Sequence, residues 1–111
     1  MKLIYVIRFV ADMDPAVKFH RDVLGLPLKF EPPGWSEFAT GDTKLALHPA
    51  SAKNPAGAVE LGFTVPDVRI FHEEILAKGV QFTMPPTKQD FGGLLAQFVD
   101  SEGGHCSVGG E

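Results

Sequence analysis

Phe9-Val10-Ala11-Asp12 returns as Thr64-Val65-Pro66-Asp67 about 55 positions later, in register on Val-x-Asp. An apolar stripe follows each aspartate: Ala16, Phe19, Val23 and Leu24 after the first, Val68, Phe71, Ile75 and Leu76 after the second. Both stripes fall on i, i+3, i+7 and i+8, one face of an α-helix. Asp14 ahead of Pro15 suits an N-cap before a proline in the first helical position, and Asp67 offers its carboxylate to the free amides that open the second helix. Gly25 and Gly79 come after the stripes, as glycine does where helices end. One structural unit is therefore written twice.

Working outward, a strand precedes each helix. Leu3 to Val10 is rich in β-branched and aromatic residues, and Val59 to Val65 alternates Leu61, Phe63 and Val65 with Glu60, Gly62 and Thr64. Three shorter strands come after each helix: Leu28 to Glu31, Glu37 to Thr40 and Lys44 to His48 in the first half, Gln81 to Met84, Leu94 to Asp100 and His105 to Val108 in the second. Turn signals separate them at Pro32-Pro33-Gly34, Gly41-Asp42, Pro85-Pro86 and Ser101 to Gly104. Each half is thus β-α-β-β-β, and the fold class is α+β. The halves, about residues 1–50 and 58–111, are joined through a small-residue linker at 51–57. Neither half alone buries enough core to fold, so 1–111 is expected to be a single domain. Arg8 is the misfit. The repeat register sets it where Phe63 lies, beneath the helix, which calls for a β-bulge or a buried partner.

The composition is 44% apolar and 22% charged, globular in character, and the formal net charge of −4 argues against a nucleic-acid partner. The single cysteine, Cys106, leaves no disulfide framework and is expected to be a buried, inert thiol. The apolar start, Met1 to Val10, is interrupted by Arg8 and is too short for a signal peptide or a membrane span, so a cytoplasmic setting without a membrane partner is the default.

The ordered set of Val-x-Asp, an amphipathic helix closing on Val23-Leu24-Gly25-Leu26, and three strands resembles the vicinal oxygen chelate superfamily. Its members include glyoxalase, bleomycin-resistance and extradiol-dioxygenase proteins. The second half carries the likeness further, in Lys78-Gly79-Val80, Phe91-Gly92-Gly93 and Phe98-Val99-Asp100-Ser101-Glu102-Gly103-Gly104. The last run is similar to the family's Asp-Pro-Asp-Gly-Asn turn, with Ser101 in place of proline. The resemblance implies two tandem βαβββ modules whose curved mixed sheets enclose a cup, commonly at a homodimer interface. It also implies metal-ligand positions on the first and last strand of each module, which fall here on Tyr5, Ala46, Glu60 and Ser107. Only Glu60 among these is an ordinary ligand for a divalent metal, so the inherited site is expected to be empty and no cofactor is called for.

The cup implied by the resemblance would be lined by Tyr5, Ile7, His48, Glu60, Thr64 and His105. Glu60 is the candidate catalytic residue: an enclosed carboxylate suits a general base or an anchor for a cationic ligand, against the plainer role of a partly wet carboxylate. Tyr5, Trp35, His48, Phe91 and His105 are the ligand-binding candidates. Each has a structural alternative: Tyr5 as filler, Trp35 as core anchor, His48 and His105 as solvent-facing or strand-edge residues. Phe91 beside Gly92-Gly93 is a candidate lid. His20 and His72 are expected on helix surfaces.

Strand parity also aims His48 and His105 at the side of Glu60, so a displaced His/Glu/His site for zinc, iron, nickel or manganese is the alternative. Three functions are consistent with these residues. The first is sequestration of a small organic ligand by a homodimer of the bleomycin-resistance type. The second is a metal-dependent lyase, isomerase or dioxygenase using His48, Glu60 and His105. The third is a regulatory or structural dimer with a vestigial cup.

Overall fold

The computed structural model describes residues 1–111. Eight strands and two helical segments are arranged in the order β1 (Lys2–Val10), α1 (Met13–Lys18, continued by a π turn over Phe19–Val23), β2 (Leu28–Phe30), β3 (Ser36–Ala39), β4 (Lys44–Pro49), β5 (Val59–Val65), α2 (Val68–Ala77), β6 (Phe82–Lys88), β7 (Leu94–Val99) and β8 (His105–Gly110). The β-α-β-β-β order expected from the sequence therefore occurs twice, and the fold is α+β. Ile4–Val59 form one compact unit; Glu60–Glu111 with Met1–Leu3 form another.

In the first unit the strand order is β2-β3-β4-β1. β2 with β3 and β3 with β4 are antiparallel, whereas β4 and β1 are parallel, with Tyr5 opposite Lys44, Ile7 opposite Ala46 and Phe9 opposite His48. Alternation splits this mixed sheet into two apolar faces. One packs Phe38, Leu45 and Leu47 against Met13, Ala16 and Val17 of α1; the other packs Ile7, Phe9 and Ala46 with Tyr5, Trp35, Ala50 and Ala58. The connector closes on β1, where the Gly57 N–H donates to the Phe9 carbonyl and the Phe9 N–H to the Ala58 carbonyl, both at 2.9 Å.

The first helix departs from expectation. Its N-cap is Asp12, not Asp14, and the Asp12 side chain makes no capping bond. Pro15 sits in the third helical position, which it tolerates because the first turn's amides have no helical acceptor in any case. The predicted stripe is also displaced, since Phe19, Val23 and Leu24 are exposed while Val17 is buried. The cause is the π turn: the Leu24 N–H reaches the Phe19 carbonyl at 3.1 Å, five residues back. That wider turn rotates the later side chains off the face set by about 3.6 residues per turn. His20, expected at the surface, is half-buried, with Nδ1 2.7 Å from the Ala16 carbonyl and its ring 5.6 Å from that of Phe38.

Arg8 meets neither expectation. The β1–β4 register runs unbroken from Tyr5 to Val10, so there is no bulge between them. The helix packs on β4, which leaves Arg8 exposed with its guanidinium donating to the Gly57 carbonyl.

In the second unit the order is β5-β8-β7-β6, with β5 and β8 parallel and the others antiparallel. Val68 and Phe71 of α2 pack with Val65, Ala96 and Val108, joined by Phe63, Phe82 and Phe98. Asp67 caps α2 as expected, accepting from the Ile70 N–H at 3.0 Å, and the Val68 N–H donates to the Glu111 carbonyl at 2.8 Å. At the other end the Gly79 and Val80 amides turn back to the Leu76 and Ile75 carbonyls, with Gly79 at φ +91°. This is a Schellman closure that only glycine adopts without strain. Leu76 is exposed rather than part of the packed stripe, and His72, expected on the surface, is half-buried with its ring edge-on to Phe82 at 4.5 Å. Pro85 and Pro86, which the turn signals set at the end of a strand, lie within β6. They fit because β6 is an edge strand whose register breaks between Met84 and Thr87.

Candidate functional site

The face of the first unit opposite α1 gathers the polar side chains. Tyr5 on β1, Trp35 just before β3, Glu37 on β3, and Lys44 and His48 on β4 share one parity, because Tyr5 pairs with Lys44, Phe9 with His48 and Glu37 with Ala46. Glu37 is the hub. Its Oε1 accepts from the Tyr5 hydroxyl at 3.0 Å and from the Trp35 indole N–H at 2.9 Å, while the Lys44 ammonium stands 3.9 Å from Oε2. The Glu37 side chain is 13% exposed and that of Lys44 is 52% exposed.

Rings line the same corner. Tyr5 and Trp35 meet edge-on, with centroids 5.6 Å apart and planes at 78°. Trp35 and His48 do so at 6.3 Å, and Phe9 and His48 at 5.5 Å. The Lys44 ammonium lies 5.7 Å from the Tyr5 ring centroid, within reach of a cation–π attraction. Burial first, then the hydrogen bond to Glu37 and its negative charge, raise the Tyr5 phenol above its ordinary value. The phenol therefore acts here as a neutral donor that holds Glu37 in place.

The candidates named from the sequence end up in different places. Tyr5, Trp35 and His48 are brought together, with Trp35 half-buried and bonded to Glu37 rather than wholly interior. His48 is exposed, its Nδ1 2.8 Å from the Pro49 carbonyl. Ile7 is buried beneath them. In the second unit, Glu60 and His105 sit one position before the Leu61–Cys106 pair on adjacent parallel strands, on the face away from α2, both partly exposed. Thr64 donates its hydroxyl to the Gly109 carbonyl. Phe91 stands 72% exposed at the tip of the β6–β7 hairpin. Cys106 is buried, and burial, followed by the charges of Asp100 and Glu60, raises its thiol pKa.

Glu37 and Lys44 are the residues that sequence reasoning missed. The signal was there in part: Trp35, Glu37 and Ala39 alternate with Ser36 and Phe38, so an acidic side chain falls on an otherwise apolar face. Which residues it would meet depended on the β3–β4 register across the Thr40–Thr43 turn, which periodicity does not supply.

The positions that the resemblance assigns to metal ligands fall in both units, Tyr5 and Ala46 in the first and Glu60 and Ser107 in the second. The Tyr5 hydroxyl is committed to Glu37, Ala46 is a buried methyl, and Glu60 and Ser107 bring one carboxylate and one hydroxyl. No group of three or more His, Cys, Asp or Glu side chains is placed to hold a metal ion. No helix is long and apolar enough to cross a membrane.

The sequence profile of the glyoxalase/bleomycin resistance protein/dioxygenase superfamily matches residues 2–105. A comparison with curated proteins finds no match. Among solved structures, one described as NAD-dependent benzaldehyde dehydrogenase from Legionella pneumophila aligns with TM-score 0.77 at 22% identity, covering 95% of this chain and 96% of that one. The hypothetical protein BH1468 from Bacillus halodurans gives 0.74 at 16% identity, covering 99% and 94%. Methylmalonyl-CoA epimerase from Mycobacterium tuberculosis gives 0.72 at 18% identity, covering 97% and 86%. At these identities the likeness is one of fold. With the profile spanning nearly its whole length, the chain belongs to the glyoxalase/bleomycin resistance protein/dioxygenase superfamily.

Proposed function

We propose that this chain binds a small organic molecule against the face that carries Tyr5, Trp35, Glu37 and His48, and that it does so without the metal site that the family resemblance implies. One observation carries the reading: two aromatic donors, Tyr5 on β1 and Trp35 just before β3, converge on a single oxygen of a largely buried carboxylate. Fixing a carboxylate this way orders three side chains on one surface, which is what a recognition site needs. Glu60 and His105 lie on adjacent strands of the second unit, on the face away from α2.

A homodimer in the cytoplasm is part of the same proposal. Its support is the exposure of Phe19, Val23, Leu24 and Phe30 around α1 and β2, apolar surface that a monomer does not need.

Trp35 is the only tryptophan, so its emission reports on the face directly. A screen of small aromatic and heterocyclic compounds is expected to yield ligands that shift Trp35 emission saturably and raise the melting temperature, with both effects weakened by Glu37→Gln. Metal analysis of protein purified without a histidine tag tests the other half. Stoichiometric zinc, iron, nickel or manganese, or ligands that bind while Trp35 emission stays unchanged, would overturn the proposal.

A further inference from the structure

We infer that the Tyr5–Trp35–Glu37 corner is a receptor for an organic cation, and that Lys44 is its resident competitor. This rests on the reading of that face as the ligand surface and names the class of ligand it takes.

Glu37 comes first. Both donors that fix it are neutral and both fall on Oε1, so they hold the carboxylate without cancelling its charge. Oε2 receives no hydrogen bond from either of them. The cation nearest to it, Lys44, stops at 3.9 Å, well outside the distance of about 2.8 Å at which an ammonium and a carboxylate bond directly. A fixed, mostly desolvated negative charge with one oxygen still open is a site built for a positive group.

The rings come second. Tyr5 and Trp35, at 78° to each other, both bond the carboxylate through its other oxygen, and the Tyr5 ring centroid is 5.7 Å from the ammonium that stands beside Oε2. A cation placed there is drawn by the negative face of a ring as well as by the carboxylate, and an anion is repelled by both.

Lys44 shows that the position attracts a cation, because its ammonium lies both beside Oε2 and 5.7 Å from the Tyr5 centroid. It holds that place loosely. The side chain is half exposed and makes no hydrogen bond to the carboxylate, so a cation with a larger apolar body displaces it at little cost. A small cavity of about 60 Å³ adjoins the pair, bordered by Lys29, Phe38 and Gly41 as well as by Lys44 and Glu37, and by neither ring. Because two lysines border it, the opposing assignment, an anion held by Lys44, has to be tested in the same experiment.

The full-length protein is titrated with benzyltrimethylammonium, benzyl alcohol and benzoate, following Trp35 emission. The cation is expected to bind saturably and the benzoate not to bind. Lys44→Gln, which removes the competitor at an exposed position, is expected to tighten the cation by roughly threefold, the ratio set by the strength of a surface ion pair. Glu37→Gln, whose amide oxygen still accepts from Tyr5 and Trp35 while its NH2 faces the open side, is expected to abolish cation binding in a protein that melts normally. Weaker cation binding in Lys44→Gln, or benzoate binding that depends on Lys44, overturns the inference. If benzyl alcohol or benzoate binds and the cation does not, the cation assignment falls while the ligand-face reading stands. Silence of all three probes also overturns the assignment, whereas the ligand-face reading falls only if the wider screen leaves Trp35 unmoved as well.

Discussion

Glu37 Oε1 receives the hydroxyl of the only tyrosine and the indole N–H of the only tryptophan. The Tyr5 titration can therefore be read in the ultraviolet without interference from any other phenolate. Its midpoint is expected above 10.0, raised by burial and then by Glu37. In Glu37→Gln the charge is gone but burial remains, so the midpoint falls towards 10.0 without passing it. The folded state favours the neutral phenol. Its contribution to stability is accordingly whole below pH 10.0 and is lost as pH rises from there through the folded-state midpoint. A wild-type midpoint at or below 10.0 would contradict the hydrogen bond. Tyr5 and Trp35 were identifiable from the sequence as candidates. Their acceptor was not, because a cross-strand partner is fixed by register, and a shift of one residue would have turned Glu37 to the opposite face.

At the level of elements, the two copies of the repeat were not equally legible. The second helix carries its own punctuation in Asp67 and Gly79, both used as the sequence implies. Asp67→Ala is expected to cost about 1 kcal/mol in urea denaturation, the usual worth of an N-cap side chain. Asp12→Ala, at the matching position of the first helix, is expected to cost less than about 0.5 kcal/mol, since that carboxylate caps nothing. Equal losses at the two positions would show that the difference in capping is without consequence. The first helix misled because Ala16, Phe19, Val23 and Leu24 keep perfect α spacing in sequence while the backbone makes a π turn in their midst. A π turn leaves the order of polar and apolar residues unchanged, so periodicity does not register it. The strands were placed within a residue or two because Gly and Pro punctuate them. The exception is β6, whose edge position lets two prolines stay inside it.

The family and the β-α-β-β-β order were legible at the scale of the whole chain, since a pattern met twice in the same sequence of elements is hard to obtain by chance. The consequence of the displaced first stripe was not. Phe19, Val23 and Leu24 are exposed instead of packed, Val23 by 70%, and Phe30 on β2 is exposed as well. Replacing both Val23 and Leu24 by serine should change the folding free energy by less than about 0.5 kcal/mol, since neither side chain is buried. In light scattering the wild-type chain is expected at dimer mass and the double variant at a lower average. A wild-type monomer at micromolar concentration, or a double variant that still dimerises, would remove these side chains from the proposed interface.

The parallel pairing of β5 with β8 fixes when the second unit can close. Thr64 bonds to Gly109 across 45 positions, and the first amide of α2 rests on the carbonyl of Glu111. A nascent chain can coil α2 as soon as Asp67 to Gly79 have been made, but Phe71 and its neighbours have no complete sheet to cover them until β8 emerges. Cotranslational folding of this unit is therefore delayed until β8 has been made, and that interval is where the half-made unit is most exposed to misassociation.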